Sequence, residues 1–172
     1  MSCLSFIAPP VSHDVDGGET VSYTEAMLWA GDLVVEARPV RMSTVLGSCV
    51  SVCLYDPARQ FGGMNHYLVP RGGNTAIHGE WSTLRLIERM CQLGSMPGDL
   101  KAKVFGGGCP LKLVNENHAV GDENVVVARR VLATAGIPII AEKVGHSAGV
   151  RLFYENWTGV VWIKLHAERK TP

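Results

Sequence analysis

The sequence has 172 residues, of which 47% are hydrophobic and 19% are charged, so it can bury the core of one ordinary domain. Sixteen basic side chains balance sixteen acidic ones, and this neutrality argues against a general nucleic-acid binder and a polybasic membrane-surface module. The apolar runs are far shorter than a bilayer span, so we expect no membrane insertion.

The first 28 residues are predicted to form a loosely ordered extension, followed by a single domain over 29–168. Pro9 and Pro10 break the first apolar run, and the residues after them show little periodicity. The sequence lacks the positive start and continuous apolar stretch of a secretory signal, which predicts a cytoplasmic protein. The five cysteines are odd in number and lack Cys-x-x-Cys spacing, which fits free thiols better than a disulfide framework or a zinc ribbon.

The first half of the domain has the patterns of four strands. Short β-rich runs at 33–35 and 40–46 precede an alternating segment at 49–55. Alternate residues of that segment fall on opposite faces, with Val50, Val52 and Leu54 on one face and Cys49, Ser51 and Cys53 on the other. Turn residues at 56–63 then lead into a return strand at 64–69, which predicts a hairpin.

The second half combines two helices with further strands. The first helix contains the stripe that begins at Trp81, and Gly94 ends it. The second helix covers about 122–135, with Asp122 as its N-cap and Gly136 after its end. Strands are predicted at 101–105, 137–144, 151–154 and 160–165, the last two joined by a turn at 156–159.

This succession predicts an α+β fold. About eight strands and two main helices, with several short hairpin-like links, favour a layered sandwich of mostly antiparallel or mixed β-sheet with the helices packed on the outside. A doubly wound parallel sheet would instead alternate strands and helices strictly.

The chemistry is concentrated around Cys49 and His66. A cysteine thiol is readily activated because an adjacent imidazole can lower its pKa. Gly47 and Ser48 are small, so a substrate carbonyl could approach the backbone amides there. A hydroxyl, from Ser43 or Thr44, could fix the tautomer of the imidazole. A tight hairpin, however, predicts that His66 lies opposite Cys53, on the order of 13 Å from Cys49.

Other candidate residues have structural interpretations. Cys53 and Cys91 are expected in the core, because free cysteines are among the most buried residue types. The glycine run at 106–108 lacks the pattern of a phosphate-binding loop, and we interpret it as a tight turn lining a cleft. The remaining histidines have no partner at ligand spacing, so neither a metal nor another cofactor is predicted.

Two segments together resemble the chemoreceptor glutamine deamidases (CheD). They are residues 44–57, TVLGSCVSVCLYDP, and residues 62–70, GGMNHYLVP. Further blocks, KVFGG at 103–107 and GDENV at 121–125, resemble later parts of that family, so the similarity covers most of the chain. By this resemblance Cys49 is the nucleophile, His66 the base and Ser43 the orienting hydroxyl, with Thr44 as its alternative. Gly47, Ser48 and Asn65 are expected to contact the substrate.

The resemblance implies a protein-glutamine glutaminase, a Cys-His hydrolase that acts on the cytoplasmic helices of chemotaxis receptors. It converts glutamine side chains to glutamate and releases ammonia, and the same chemistry allows hydrolysis of glutamyl methyl esters. A CheC-type phosphatase is implied as a second partner. Two alternatives stay open: a non-catalytic docking partner of chemotaxis proteins, and a cysteine amidase that acts on another substrate.

Overall fold

The computed structural model describes residues 11–14, 20–108 and 116–165, which form ten strands, two α-helices and a short 3-10 helix. The helices are α1 (Gly79–Gln92) and α2 (Glu116–Thr134), and the 3-10 turn is Pro97–Asp99. The strands are β1 (Val11–Asp14), β2 (Thr20–Met27), β3 (Leu33–Glu36), β4 (Val40–Leu46), β5 (Val50–Asp56), β6 (Phe61–Asn65), β7 (Lys101–Gly106), β8 (Ile139–Val144), β9 (Val150–Glu155) and β10 (Val161–Leu165).

The strands make two five-stranded sheets. The first has the order β1-β2-β4-β9-β10 and the second the order β3-β6-β5-β7-β8. Within the described residues, two pairs are parallel, β2 with β4 and β7 with β8, and the other pairs are antiparallel. The α+β class predicted from the sequence is therefore confirmed, with mixed sheets and two helices.

The first sheet packs face to face against the second. In β4 every second side chain is buried, so Val40, Met42, Thr44 and Leu46 point inward and the residues between them point outward. The inward residues join a core that also contains Cys53, Met64, Phe105, Leu152 and Tyr154. This core fills the space between the two sheets, and the sheets form two of the three layers of the fold.

Both helices pack on the other face of the second sheet. Val50, Val52 and Leu54 of β5 lie in a second core together with buried residues of α1 and α2. Cys49 and Cys53, on the opposite face of the same segment, belong to the core between the sheets. The alternation predicted for this strand is therefore confirmed. Neither helix has the length and apolar character needed to cross a bilayer, as far as the described residues extend.

The N-terminal segment differs from its prediction over residues 20–28. These residues were expected to be part of a loosely ordered extension, but β2 pairs in parallel with β4 over Thr24–Met27. Ala26 and Leu28 are buried in the core between the sheets, which fixes the strand in place. Residues 1–10 and 15–19 lie outside the described part, and the domain limits 29–168 stay a prediction.

The second helix also starts earlier than predicted. It begins at Glu116 and includes Asp122, which is therefore not an N-cap. The helix continues through Gly121, where a Cβ would lie only 2.7 Å from the Gly107 carbonyl oxygen. Gly121 thus permits close contact between α2 and the glycine run instead of ending the helix.

Candidate active site

A hydrogen bond between the two sheets joins Thr44 to His66. Thr44 points inward from β4, and His66 immediately follows β6 in the other sheet. The Thr44 hydroxyl oxygen lies 2.8 Å from Nδ1 of His66, and both side chains are buried. Ser43 belongs to the outward set of β4, and its hydroxyl donates to the Met27 sulfur. Of the two predicted hydroxyls, the structure therefore brings Thr44 to the imidazole.

The partners of Thr44 determine which imidazole nitrogen carries the proton. The Thr44 hydroxyl donates its only hydrogen to the Leu28 carbonyl oxygen at 2.8 Å, so its oxygen can only accept from His66. Nδ1 of His66 therefore carries the hydrogen, and Nε2 keeps a free lone pair. Nε2 is buried and has no hydrogen-bond partner among the described residues. The arrangement leaves Nε2 available as a base.

The environment of His66 favours its neutral form. Burial lowers the pKa of the imidazole, and this effect exceeds the opposing effects of the Leu28 carbonyl and the Asp32 carboxylate. The His66 N–H donates to the Asp32 carbonyl, and the Gly31 N–H donates to the His66 carbonyl. The turn between β2 and β3 therefore holds the backbone of His66, while Thr44 holds its ring.

The hairpin register sets the distance from His66 to Cys49. Cys53 pairs with Met64, and an isolated bridge joins Val50 to Tyr67. Both pairings place Ser51 opposite His66, so the predicted pairing with Cys53 is wrong. Cys49 is two residues from Ser51 on the same face of the strand, which makes it a diagonal neighbour of His66, at roughly 7–8 Å between Cα atoms. An imidazole ring can span much of that distance.

Backbone contacts with the glycine run fix the position of Cys49. The Gly107 N–H donates to the Cys49 carbonyl, and the Gly108 N–H donates to the Gly47 carbonyl, each at 2.8 Å. Gly106 has a φ of +103°, and a Cβ there would lie 2.2 Å from the Cys49 carbonyl oxygen. Only glycine allows this approach. The predicted tight turn therefore packs directly against the segment that carries the thiol.

The thiol is partly exposed and protonated at neutral pH. Burial raises the pKa of Cys49, while the N–H of Cys49 itself, which lies beside the sulfur, opposes the rise. The sequence-based expectation of a pKa lowered by the imidazole is wrong, because burial dominates. Since the Cys49 thiol and the His66 ring both favour their neutral forms, the resting pair is a thiol and an imidazole.

No hydrogen bond joins the Cys49 sulfur to Nε2 of His66 among the described atoms. Catalytic hydrogen bonds are often long without a substrate and shorten when it binds. Cys49 and His66 share one face of the hairpin, so a substrate bound there would contact both side chains. Together the two residues could perform nucleophilic attack assisted by a general base.

Asn65 has a structural position instead of the predicted place in a substrate contact. Its Oδ1 accepts from the Val52 N–H, and its Nδ2 donates to the Ser82 hydroxyl of α1. The side chain is fully buried, on the face of the sheet that packs against the helices. Its amide replaces a backbone hydrogen bond between β5 and β6, so it holds the hairpin together beside His66.

Gly47 and Ser48 directly precede Cys49, and their contact with the substrate stays a prediction. Asn124 holds this loop. Nδ2 of Asn124 donates to the carbonyl oxygens of Ser48 and Leu68, each at 3.0 Å. Sequence reasoning gave no role to Asn124, because its position on α2 does not indicate that it reaches the loop. It also missed the Leu28 carbonyl, although the β-rich composition of 20–27 could have indicated an ordered strand.

Of the described cysteines, Cys53 and Cys91 have no part in this arrangement, while Cys3 and Cys109 lie outside the described residues. Cys53 is buried between the sheets, where burial raises the pKa of its thiol far above the ordinary value. Cys91 packs against the core beneath the helices. No group of three His, Cys, Asp or Glu side chains suited to a metal ion exists within the described ranges.

Comparisons with known proteins give consistent similarities. The family model described as CheD chemotactic sensory transduction matches residues 70–165. The chain is 36% identical over 160 residues to "Probable chemoreceptor glutamine deamidase CheD 1" of Anaeromyxobacter dehalogenans, covering 91% of this chain and 92% of that protein. It is 36% identical to a protein of the same family name from Sulfurimonas denitrificans, covering 84% and 96% of the two chains, and 38% identical to one from Rhodospirillum rubrum, covering 83% of each.

Proposed function

The chain belongs to the CheD family, and on this basis we propose that it is a cysteine hydrolase that deamidates glutamine side chains of bacterial chemoreceptors. The reaction converts the carboxamide to a carboxylate and releases ammonia. The observation that carries the proposal is the series of hydrogen bonds from His66 through Thr44 to the Leu28 carbonyl, which leaves Nε2 of His66 free on the face shared with Cys49.

In the first step Cys49 attacks the carboxamide carbon of the glutamine. Because the resting thiol is protonated, Nε2 of His66 accepts the proton from Sγ as the carbon–sulfur bond forms. The Nδ1–H continues to donate to Thr44, which keeps the ring in one orientation while it carries a positive charge. Ser43 has no part in this step, since it lies on the outer face of the sheet.

In the second step the tetrahedral intermediate loses ammonia. The N–H of Cys49 faces its own sulfur and can donate to the oxyanion, an interaction typically worth about 3–4 kcal/mol. Gly47 and Ser48 leave room for the substrate oxygen beside this donor. The imidazolium returns its proton from Nε2 to the departing nitrogen, the carbon–nitrogen bond breaks, and a thioester of Cys49 remains.

In the third step water hydrolyses the thioester. Nε2 of His66 accepts a proton from the water as its oxygen attacks the thioester carbon, and the proton then returns to the departing sulfur. The products are a glutamate side chain and the free thiol. A glutamyl methyl ester could enter the same sequence with methanol as its leaving group, which we include as a second activity.

The substrate approaches over an apolar rim, which we define as Trp29, Leu68 and Ile77. All three side chains are exposed, Trp29 by 68%. Trp29 begins the turn whose Gly31 holds the His66 carbonyl, and the Leu68 N–H donates to the Ile77 carbonyl. Exposed apolar groups beside a reactive side chain are typical of a protein-binding surface. The rim fits a glutamine that is presented on the surface of a helix.

The proposal includes a setting and a regulatory consequence. The chain acts in the cytoplasm on the cytoplasmic helices of the receptors, and a CheC-type phosphatase is its second partner. Each turnover adds one negative charge to a helix of the receptor. Like charges at neighbouring helical positions repel one another, so deamidation changes the balance between states of the bundle.

Replacing Cys49 tests the proposed reaction. We expect Cys49→Ala to abolish ammonia release from purified receptor fragments while the protein stays folded. Cys91→Ala is the matched control, because this thiol is also half-buried but lies on α1, and it should retain activity. Full activity of Cys49→Ala would refute the mechanism.

The choice of substrate separates this proposal from its alternatives. We expect ammonia release from receptor fragments and none from free glutamine, because a free amino acid cannot cover the rim. Release from free glutamine alone would instead indicate an amidase for small molecules. A wild-type protein that binds receptor fragments without releasing ammonia would indicate a docking partner that lacks catalysis.

A further inference from the structure

The structure assigns to Asn124 the part of a positioning residue that orients the Ser48–Cys49 peptide and joins the segments that carry Cys49 and His66. This inference rests on the proposed function and deepens it. Asn124 lies on α2 and has no exposed surface. It is therefore not a substrate contact, and any effect on the reaction passes through the backbone that it holds.

The first argument is the position of its two hydrogen bonds. Val50 and Tyr67 form the last paired positions of the strands that carry the candidate dyad, and each donates its N–H to the other's carbonyl. Beyond that pair, no backbone hydrogen bond joins the two segments among the described residues. The two hydrogens of the Asn124 amide donate to one carbonyl from each strand, those of Ser48 and Leu68. Asn124 therefore closes the hairpin at the end where Cys49 lies.

The second argument is the geometry of the peptide bond. In a trans peptide the C=O and the following N–H point in opposite directions. Because Asn124 holds the Ser48 carbonyl, the Cys49 N–H points away from α2. Its interaction with the Cys49 sulfur is consistent with that direction. The same N–H is the proposed donor to the oxyanion, so the amide of Asn124 determines where that donor points.

The third argument is the cost of keeping an amide at this position. Oδ1 of Asn124 is buried without a hydrogen-bond partner among the described residues. A buried unpaired polar atom typically costs about 1–3 kcal/mol, so the residue is not optimised for stability alone. Tyr67 further fixes this turn of the helix, because its hydroxyl donates to the Asn124 carbonyl at 2.7 Å.

Asn124→Ala tests the inference, with Asn156→Ala as the matched control. Asn156 is equally buried, and its Nδ2 also donates to two backbone carbonyls, those of Glu36 and Arg38, at the other end of β4. We expect Asn124→Ala to lower kcat for receptor fragments about 10- to 100-fold with little change in KM, less than the roughly 10²–10³-fold loss when a donor is removed outright. Asn156→Ala should lose stability but keep kcat.

A second measurement does not depend on the substrate. The pH dependence of Cys49 alkylation by iodoacetamide, followed by mass spectrometry of its peptide, gives the pKa of the thiol. We expect this pKa to rise in Asn124→Ala, because the N–H that opposes the rise moves away, and to stay constant in Asn156→Ala. If wild type releases no ammonia, the proposed function fails, whereas this measurement still tests the position of the peptide.

Asn124→Asp covers the case in which the alanine variant does not fold. The carboxylate has the shape of the amide but lacks its two donors, so it should show the same loss of kcat and the same rise in thiol pKa. The inference is overturned if the folded variants keep kcat and the thiol pKa near their wild-type values. It is also overturned if Asn156→Ala shows equal changes in both, because the effect would then be one of general stability.

Discussion

At the scale of single residues, a substitution can test the hydroxyl of Thr44 without changing the shape of the side chain. Thr44→Val keeps the shape but removes the oxygen that accepts from Nδ1 of His66. The imidazole then loses its preference for the tautomer with a free Nε2, and we expect kcat to fall about 10- to 100-fold. Steady-state ammonia release from receptor fragments measures this change.

Ser43→Ala is the control for that substitution. It removes a neighbouring hydroxyl whose side chain points away from His66 and donates to Met27. Its kcat should stay within about twofold of wild type. The assignment of Thr44 fails if Ser43→Ala is the more damaging of the two.

The protonation states of Cys49 and His66 predict the pH profile of the reaction. The proposed mechanism needs a neutral imidazole, and burial lowers the pKa of His66 below its ordinary value of about 6.5. Activity should therefore be complete at pH 7 and fall only as the pH drops below about 6.5. A profile of kcat/KM against pH tests this, and no decline is expected between about pH 7 and 9. A resting thiolate–imidazolium pair would instead lose activity in that range as the imidazolium deprotonates.

At this scale the sequence predicted which two groups form the candidate dyad but not their protonation states. The resemblance to the CheD family pointed to Cys49 and His66, and the structure puts them on one face of one sheet. The choice between Ser43 and Thr44 could have been predicted from the pattern of β4, because Thr44 falls on the same face of the strand as the apolar residues Val40 and Met42. The directions of the pKa shifts of Cys49 and His66 could not be predicted from the sequence, because they depend on packing between strands that are far apart in sequence.

At the scale of elements, the glycine run at 106–108 allows the end of β7 to approach the segment that carries Cys49 closely. Gly106→Ala would place a Cβ 2.2 Å from the Cys49 carbonyl oxygen, at a φ of +103° that alanine rarely adopts. We expect a loss of about 2–4 kcal/mol in the free energy of unfolding and a fall in kcat, measured by urea denaturation and ammonia release. Gly98→Ala is the control, since nothing lies within 4 Å of its added carbon. An unchanged Gly106→Ala would contradict this account.

Asp56 secures the turn between β5 and β6. Burial alone would raise the pKa of its carboxyl, but hydrogen bonds from Ser95 and from the backbone and guanidinium of Arg59 outweigh burial and lower the pKa. The folded pKa therefore lies below the unfolded value of about 3.9. The resulting stabilisation is present above about pH 4 and is lost as the pH falls through the folded pKa.

Asp56→Asn should destabilise the protein by about 1–3 kcal/mol at pH 7, because its NH2 group would face other donors. The difference from wild type should shrink at pH 3, measured by urea denaturation at both pH values. Asp99→Asn is the control, as Asp99 pairs with the same Arg59 at the surface and should cost less than about 1 kcal/mol. An equal cost for both variants would contradict the role of burial.

The strands show why the residue pairing between elements was harder to predict than which segments form strands. Apolar alternation and turn residues indicated the hairpin of β5 and β6, but not which residues pair across it. The turn expected from the sequence was centred between Pro57 and Gly62, which put His66 opposite Cys53. The observed turn at 57–60 has its centre one residue earlier, which shifts the pairing by two residues, to Ser51. The parallel pairing of β2 with β4 was also unpredictable, because it joins segments with no local turn between them.

At the scale of the whole molecule, the candidate site lies across the two sheets. Thr44 belongs to one sheet, and Cys49 and His66 belong to the other, so the core between the sheets controls their separation. Met42→Ala and Met90→Ala compare that core with the one beneath the helices, because both methionines are fully buried. Each should lose about 2–5 kcal/mol in the free energy of unfolding.

Only Met42→Ala should also lower kcat, since a cavity there lets β4 shift relative to His66. The measurement is kcat under conditions in which both variants are fully folded. Equal kcat values for the two variants would mean that the spacing of the sheets does not control the reaction.

The protonated state of Cys49 has a further consequence for a cell exposed to oxidants. Hydrogen peroxide converts thiolates to sulfenic acids, and the rate follows the fraction of the sulfur that is ionised. Burial keeps that fraction small at position 49. The protein should therefore survive peroxide concentrations that inactivate hydrolases with a permanently ionised cysteine.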